Sequence, residues 1–166
     1  MTKQAKVILI VVAACCIFGL TIILILAAIA IPATQAVIRK GNEASAINSL
    51  KLLNTEEQAY AMSYPNRGFA CSLSALGGSP QSGQPTADAA QLIPDDLASG
   101  HKAGYAYDIT KCVKVTIKGQ DQVTSYELTA VPNSVGHSGQ RGFCSDENGQ
   151  MRFDPNGGTS CTEVLQ

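Results

Sequence analysis

Four cysteines stand in the polar part of the chain, Cys71, Cys112, Cys144 and Cys161, an even number without CxxC spacing. Zinc sites are normally built on close ligand pairs, and none is present, so the four read as two disulfides formed in an oxidising compartment. Three pairings exist on paper. Cys144 with Cys161 and Cys71 with Cys112 is preferred. The first pair closes a short loop rich in glycine and asparagine, and the second ties the loop after a predicted helix to a predicted sheet. On the loop-entropy model the shorter link contributes about 3 kcal/mol.

The other reactive residue types fall in less telling places. His101 and His137 each adjoin or nearly adjoin glycine in loop-like sequence, away from any nucleophile motif, and read as solvated loop histidines. Asp95 and Asp96 follow Pro94, which suits the first turn of a short helix, where acidic side chains favour the dipole. Adjacent residues also point in different directions, which disfavours paired acid–base work. Asp146, Asn148 and Asp154, with Gly149 and Asn156 nearby, supply oxygen atoms of the kind calcium takes, but their spacing is not that of an EF-hand loop. Asp-Asn-Gly chemistry is equally what a tight turn demands, and the turn is the preferred reading. Val12-Ala13-Ala14-Cys15 has the form of a lipobox whose cysteine would be acylated. Because the apolar stretch runs on past Cys15, an uncleaved anchor is preferred to lipidation there. No catalytic residue, cofactor site or enzyme activity is expected.

These residues must be positioned by a chain of 166 residues carrying 12 basic and 13 acidic side chains, scattered rather than blocked. Nothing in that balance attracts a nucleic-acid backbone. From Val7 to Ile31 there is no charged residue, and about 25 residues at 1.5 Å rise exceed the roughly 30 Å of bilayer hydrocarbon. Only Thr21, Cys15 and Cys16 interrupt its apolar character. Residues 1–32 are therefore expected to be a membrane-spanning helix and residues 33–166 a head outside the cytoplasm. Lys3 and Lys6 before the span nearly balance Arg39 and Lys40 after it, so orientation rests on the cysteines: N-terminus inside, head in the oxidising space.

Pro32 marks a kink or a helix restart near the membrane boundary. From Ala33 to about Met62, Val37, Ala44, Ile47, Leu50, Leu53, Ala59 and Tyr60 recur mostly at helical spacing, while Arg39, Lys40, Glu43, Asn48, Lys51 and Glu56 fill other faces. The result is one long helix, apolar all round in its first half and amphipathic in its second. Ser63 to Gly68 is a stop signal. Residues 71–104 read as a long, partly mobile connection, with a short helical turn or two between Ala87 and Leu97. The period then changes to two at Tyr105–Ile109, Val113–Lys118 and Thr124–Val131. Hairpin connections are expected at Gly119–Gln122 and at Asp146–Gly149, the latter between Phe143-Cys144 and Met151-Arg152-Phe153. The fold class is α+β, a long helix packed on a small antiparallel sheet.

The run Leu24-Ile25-Leu26-Ala27-Ala28-Ile29-Ala30-Ile31-Pro32 resembles the end of the hydrophobic helix in type IV pilins and type II secretion pseudopilins. Asn42–Ala46, Leu52–Thr55, Tyr64-Pro65, Cys71–Gly77 and the Phe143–Phe153 hairpin are similar to short bacterial pilin-like proteins, so the resemblance runs from Leu24 onward. It implies a pilin-like fold and a structural subunit of a filament or secretion assembly. It also implies partners in the lipid bilayer and in further copies or other pilin-like subunits, met through residues 24–32. The location implied is the bacterial inner membrane with the head in the periplasm, or the cell surface as an extracellular filament. Some pseudopilins bind calcium in their heads. The family carries a leader ending in glycine and a glutamate at the fifth mature position. Counting back from Pro32 puts Ile10 and Cys15 at those places. A buried carboxylate of that kind is thought to pair with a neighbour's N-terminal amine, and this chain has none there. The alternative expectation is accordingly an uncleaved, non-polymerising membrane-anchored protein whose pilin-like head binds a ligand or partner.

Overall fold

A computed structural model describes residues 3–79 and 83–165, the side chains of residues 3, 6–11 and 26–33 excepted. The chain divides into two units, Met1–Ile38 and Arg39–Gln166, and one helix, α1 (Lys3–Ser63), contributes to both. Pro32 belongs to α1, so the helix does not stop there.

In the first unit Val12, Ile17, Phe18, Leu20, Ile23, Leu24 and Ile25 are all exposed. The Thr21 hydroxyl is satisfied within the helix, donating to the Phe18 carbonyl at 2.8 Å. Among the described residues no helix is long and apolar enough to cross a membrane. The uncharged run with described side chains, 12–25, spans roughly 20 Å at helical rise, short of a bilayer core. The rest of the expected span, including the assembly residues Leu26, Ala27, Ala28, Ile29, Ala30, Ile31 and Pro32, has side chains outside the described set.

The second unit is α+β. After α1 come two single-turn helices, α2 (Leu73–Leu76) and α3 (Asp95–Ala98). Six strands follow: β1 (His101–Lys102), β2 (Tyr105–Ile117), β3 (Gln120–Pro132), β4 (Gly142–Asp146), β5 (Met151–Asp154) and β6 (Glu163–Val164). They form one antiparallel sheet in sequence order. Each strand pairs with its predecessor, so a chain with only short connections can build the whole sheet.

One stripe of α1 closes this sheet: Ala46, Ser49, Leu50, Leu53, Glu57 and Tyr60, spaced by three and four, are all buried. The phase differs from the expected stripe. Ala44 is exposed because two residues turn a helix by about 200°, placing it nearly opposite Ala46, and Val37 is exposed as well. Against the stripe lie Tyr105, Tyr107, Ile109, Tyr126, Leu128, Ala130 and Phe143 from the sheet.

Three further expectations are corrected. The stretch after Cys71 is not merely a connection: Leu73, Leu76, Ile93 and Leu97 are core residues, and the Ser72 hydroxyl caps α2 by accepting from the Ala75 amide. The expected strands Tyr105–Ile109 and Val113–Lys118 are one strand, β2, interrupted by a bulge between Thr110 and Val113 with Lys111 at φ 50°. The hairpin does not turn at Gly119–Gln122. Gln120, Asp121 and Gln122 already pair with Ile117, Thr116 and Val115, and the turn is Lys118-Gly119, both at positive φ as a type I′ turn requires. A lysine in the left-handed region leaves no compositional mark, which is why the turn reads two residues late. The Asp146–Gly149 connection does join β4 to β5.

Both disulfides are present as Cys71–Cys112 and Cys144–Cys161, with Cα separations of 6.1 and 6.0 Å. Cys71–Cys112 joins the post-helix segment to the β2 bulge across 41 residues, and Cys144–Cys161 closes 17. Loop entropy therefore favours the first as the stronger constraint. Replacing Cys71 and Cys112 together by alanine is expected to cost about 4 kcal/mol of unfolding free energy, and replacing Cys144 and Cys161 about 3 kcal/mol. Guanidinium titration under non-reducing conditions checks the order.

Candidate functional site

The polar groups that α1 presents to the head fall into two clusters. The first begins with Arg39, Asn42 and Glu43, which reach the loop between β3 and β4. Arg39 donates to the Gly136 carbonyl at 3.1 Å, and the Asn42 side-chain amide donates to the Ser138 carbonyl at 2.8 Å. Glu43 Oε1 accepts from the Gln140 and Arg141 amides, and Oε2 from Arg141 Nε and Nη2 at 3.0 and 2.8 Å. The Arg141 guanidinium also lies 5.2 Å from the centroids of the Phe143 and Phe153 rings. Burial alone would raise the Glu43 carboxyl, but the Gln140 amide and the Arg141 side chain and amide together hold it below its usual range. This cluster clamps a loop to a helix; each of its four carboxylate contacts is already within the chain.

The second cluster centres on Glu57, a residue that the sequence pattern passed over. It stands four residues after Leu53 and three before Tyr60, in phase with the apolar stripe, and it is fully buried. That phase was the available signal. Its Oε2 accepts from the Ala70 amide at 2.8 Å, and its Oε1 has no hydrogen-bond partner among the described residues. Burial pushes the carboxyl up to about 8, against the downward pull of the Ala70 amide. Nearby, Asn54 bridges α1 to the sheet, donating to Ser145 Oγ and accepting from the Tyr126 hydroxyl.

The calcium candidates are occupied otherwise. Asp146 Oδ1 accepts from the Asn148 and Gln150 amides, and its Oδ2 lies 3.3 Å from Arg152, which also approaches Glu127. Asp154 is buried and accepts from the Asn156 and Ser160 amides. The Asn148 side chain donates to Glu147. These acids close turns, as Asp-Asn-Gly sequence does. Among the described residues no group of three or more His, Cys, Asp or Glu is arranged to hold a metal.

His101 begins β1 and His137 lies in the β3–β4 loop, both exposed and neither hydrogen-bonded through its ring to a described residue. Asp95 and Asp96 form the first turn of α3. Asp96 is held below its usual range by Lys102, 3.1 Å away, with help from the Leu97 amide. Cys15 and Cys16 are free thiols, exposed on α1. A cleft of about 220 Å³ lies beside the Cys71 disulfide, lined by Tyr60, Phe69, Lys114, Asp121 and the Arg67–Asp88 pair, two bases against two acids. Nothing in these places pairs a nucleophile with a base; the arrangement can hold elements together and present surfaces.

No protein-family model, curated protein or solved structure matches the chain.

The Glu43 carboxyl is lowered in the folded state, so it contributes stability above its unfolded value of about 4.3 and loses it as pH falls through the lower folded value. Glu43→Gln is expected to cost about 2 to 3 kcal/mol near neutrality, less as the pH drops below about 4. Urea unfolding of both chains from pH 7 to pH 3 reads this as converging midpoints.

Proposed function

We propose that the chain is a structural, pilin-like subunit of a filament or secretion assembly. Its hydrophobic N-terminal helix holds it in the bacterial inner membrane, and its disulfide-bonded head sits in the periplasm or on the cell surface. The observation that carries the reading is the division of labour along α1. Its described N-terminal part exposes Val12, Ile17, Phe18, Leu20, Ile23, Leu24 and Ile25 on every face, whereas from Ala46 onward one stripe is buried under a sheet. Apolar surface of that extent is stable against lipid or against like helices, not against water. The uncharged sequence from Val7 to Ile31 and the resemblance of residues 24–32 to the pilin helix support the same assignment. The function proposed is one of packing and presentation, without catalysis, cofactor or nucleic acid.

A second reading is favoured by Ile10 and Cys15, which stand where the family has its processing glycine and its glutamate. Without that carboxylate the charge pair between neighbouring subunits is missing, and the chain becomes an uncleaved, membrane-anchored protein whose head binds a partner.

Electron microscopy of full-length protein purified from native membranes separates the two: filaments are expected on the first reading, and monomers or small oligomers alone on the second. Intact mass on the same material reads processing and any acyl group on Cys15. Arginine at both Ile22 and Ile25 is expected to shift the chain from the membrane fraction to the soluble one, at about 3 kcal/mol for each charge. Retention of the parent chain in the soluble fraction would remove both readings.

A further inference from the structure

A carboxyl group in an apolar core is stable when it is neutral, or when it is ionised beside a cation and several donors. Among the described residues Glu57 has one donor, the Ala70 amide, and its Oε1 has no hydrogen-bond partner. Among the described residues, the titratable groups that face it do not supply a positive charge. From α1 there is Tyr60, whose hydroxyl donates to the Ala87 carbonyl, and from β3 there is Tyr126, whose hydroxyl donates to Asn54. Burial raises both phenols, and both feel Glu57 as a further upward push. Asp146 and Glu147, on the turn beyond Tyr126, add only negative charge. From the post-helix segment, Cys71 is held in its disulfide, and Arg67 is turned out to Asp88 at 3.5 Å.

The contact that Glu57 makes is also placed to matter. Ala70 precedes Cys71, and the segment around it is docked on β3 by the Phe69 amide to the Val123 carbonyl and the Val123 amide to the Arg67 carbonyl. Gly68, at φ 72°, brings that backbone so close that a Cβ would collide with the Val123 carbonyl. Among the described residues Glu57 makes the one hydrogen bond from α1 to this segment, beside the packing of Ala70, Leu73 and Leu76 on the same core as the α1 stripe.

We propose that Glu57 is carried uncharged in the folded head and acts as a pH-responsive latch: while its carboxyl is neutral the 66–76 segment stays closed over it against α1, and its ionisation, which strengthens the single Ala70 bond but leaves a buried charge without a cation, opens that segment to water ahead of the sheet. The direction follows from linkage. The folded state keeps a proton that the unfolded chain gives up above about 4.3, so the latch contributes fully below that pH. Its contribution falls about tenfold in the folded-to-unfolded ratio per pH unit above it, and is exhausted above about 8.

The test is equilibrium unfolding of the full-length chain, disulfides intact, from pH 5 to 9, beside Glu57→Gln. The folding constant of the variant relative to the parent is expected to rise about tenfold per pH unit and to level off above pH 8; parallel profiles would overturn the latch. A second measurement needs no variant. In the parent chain with ¹³C-labelled glutamate carboxyls, one resonance is expected to titrate near pH 8 while the Ala70 amide loses exchange protection and Leu128 keeps it. Titration of every glutamate below pH 5.5, or loss of protection at both amides together, would refute the proposal.

Discussion

A meander of six strands in sequence order has an apolar face that its own short connections cannot cover, and the chain supplies one element long enough to do so. The head therefore depends on laying the stripe Ala46, Leu50, Leu53 and Tyr60 of α1 against Tyr105, Leu128, Ala130 and Phe143. Each fully buried leucine or aromatic in that contact is worth roughly 1.5–3 kcal/mol, so the interface is comparable to the whole net stability of a domain this size. Other interactions in the head serve to hold that helix face in place. Glu43 and Arg141 fix one end of it to the β3–β4 loop, Asn54 ties its middle to Ser145 and Tyr126, and Glu57 fixes the far end to the backbone that leads into the first disulfide.

The two disulfides complement this contact instead of duplicating it. Neither includes α1. Cys71–Cys112 staples the segment that α1 releases at Ser63 to the bulge of β2, and Cys144–Cys161 ties β4 to the approach of the two-residue strand β6. A head of this size buries a modest core, and the two cross-links add to it by restricting the unfolded chain. The bulge at Lys111 lies directly before Cys112, on the stretch of β2 that β1 leaves unpaired.

The proposed function rests on the exposed apolar residues of the described N-terminal part of α1. Asp96 meets Lys102 and the Leu97 amide, Asp146 and Asp154 hold turns, and the polar groups buried along α1 act between parts of the same chain. Among the described residues, the largest run of exposed apolar side chains lies at residues 12–25 of α1.

The sequence by itself determined what depends on local pattern and on chemistry without geometry. Helical spacing and the apolar run marked the long helix, period-two runs marked β2 and β3, and the Asp146–Gly149 turn between β4 and β5 announced itself through residues that tolerate its backbone, whereas the two-residue strands β1 and β6 carried no such mark. The disulfide partners were preferred from loop length and context. Tertiary structure decided what depends on which face meets which. The buried phase of α1 shifted to include Ser49 and Glu57, because a helix repeat of 3.6 residues allows several overlapping stripes and only the position of the sheet selects one. The turn at Lys118-Gly119 followed from the register of β2 on β3, and the residues after Cys71 became core because α2 and α3 fold back over it. The duties of Glu43 and Glu57 were equally beyond a linear reading. A glutamate is the same letter whether it ends in water, on an arginine or alone in a core, and only the packed neighbours give it its charge.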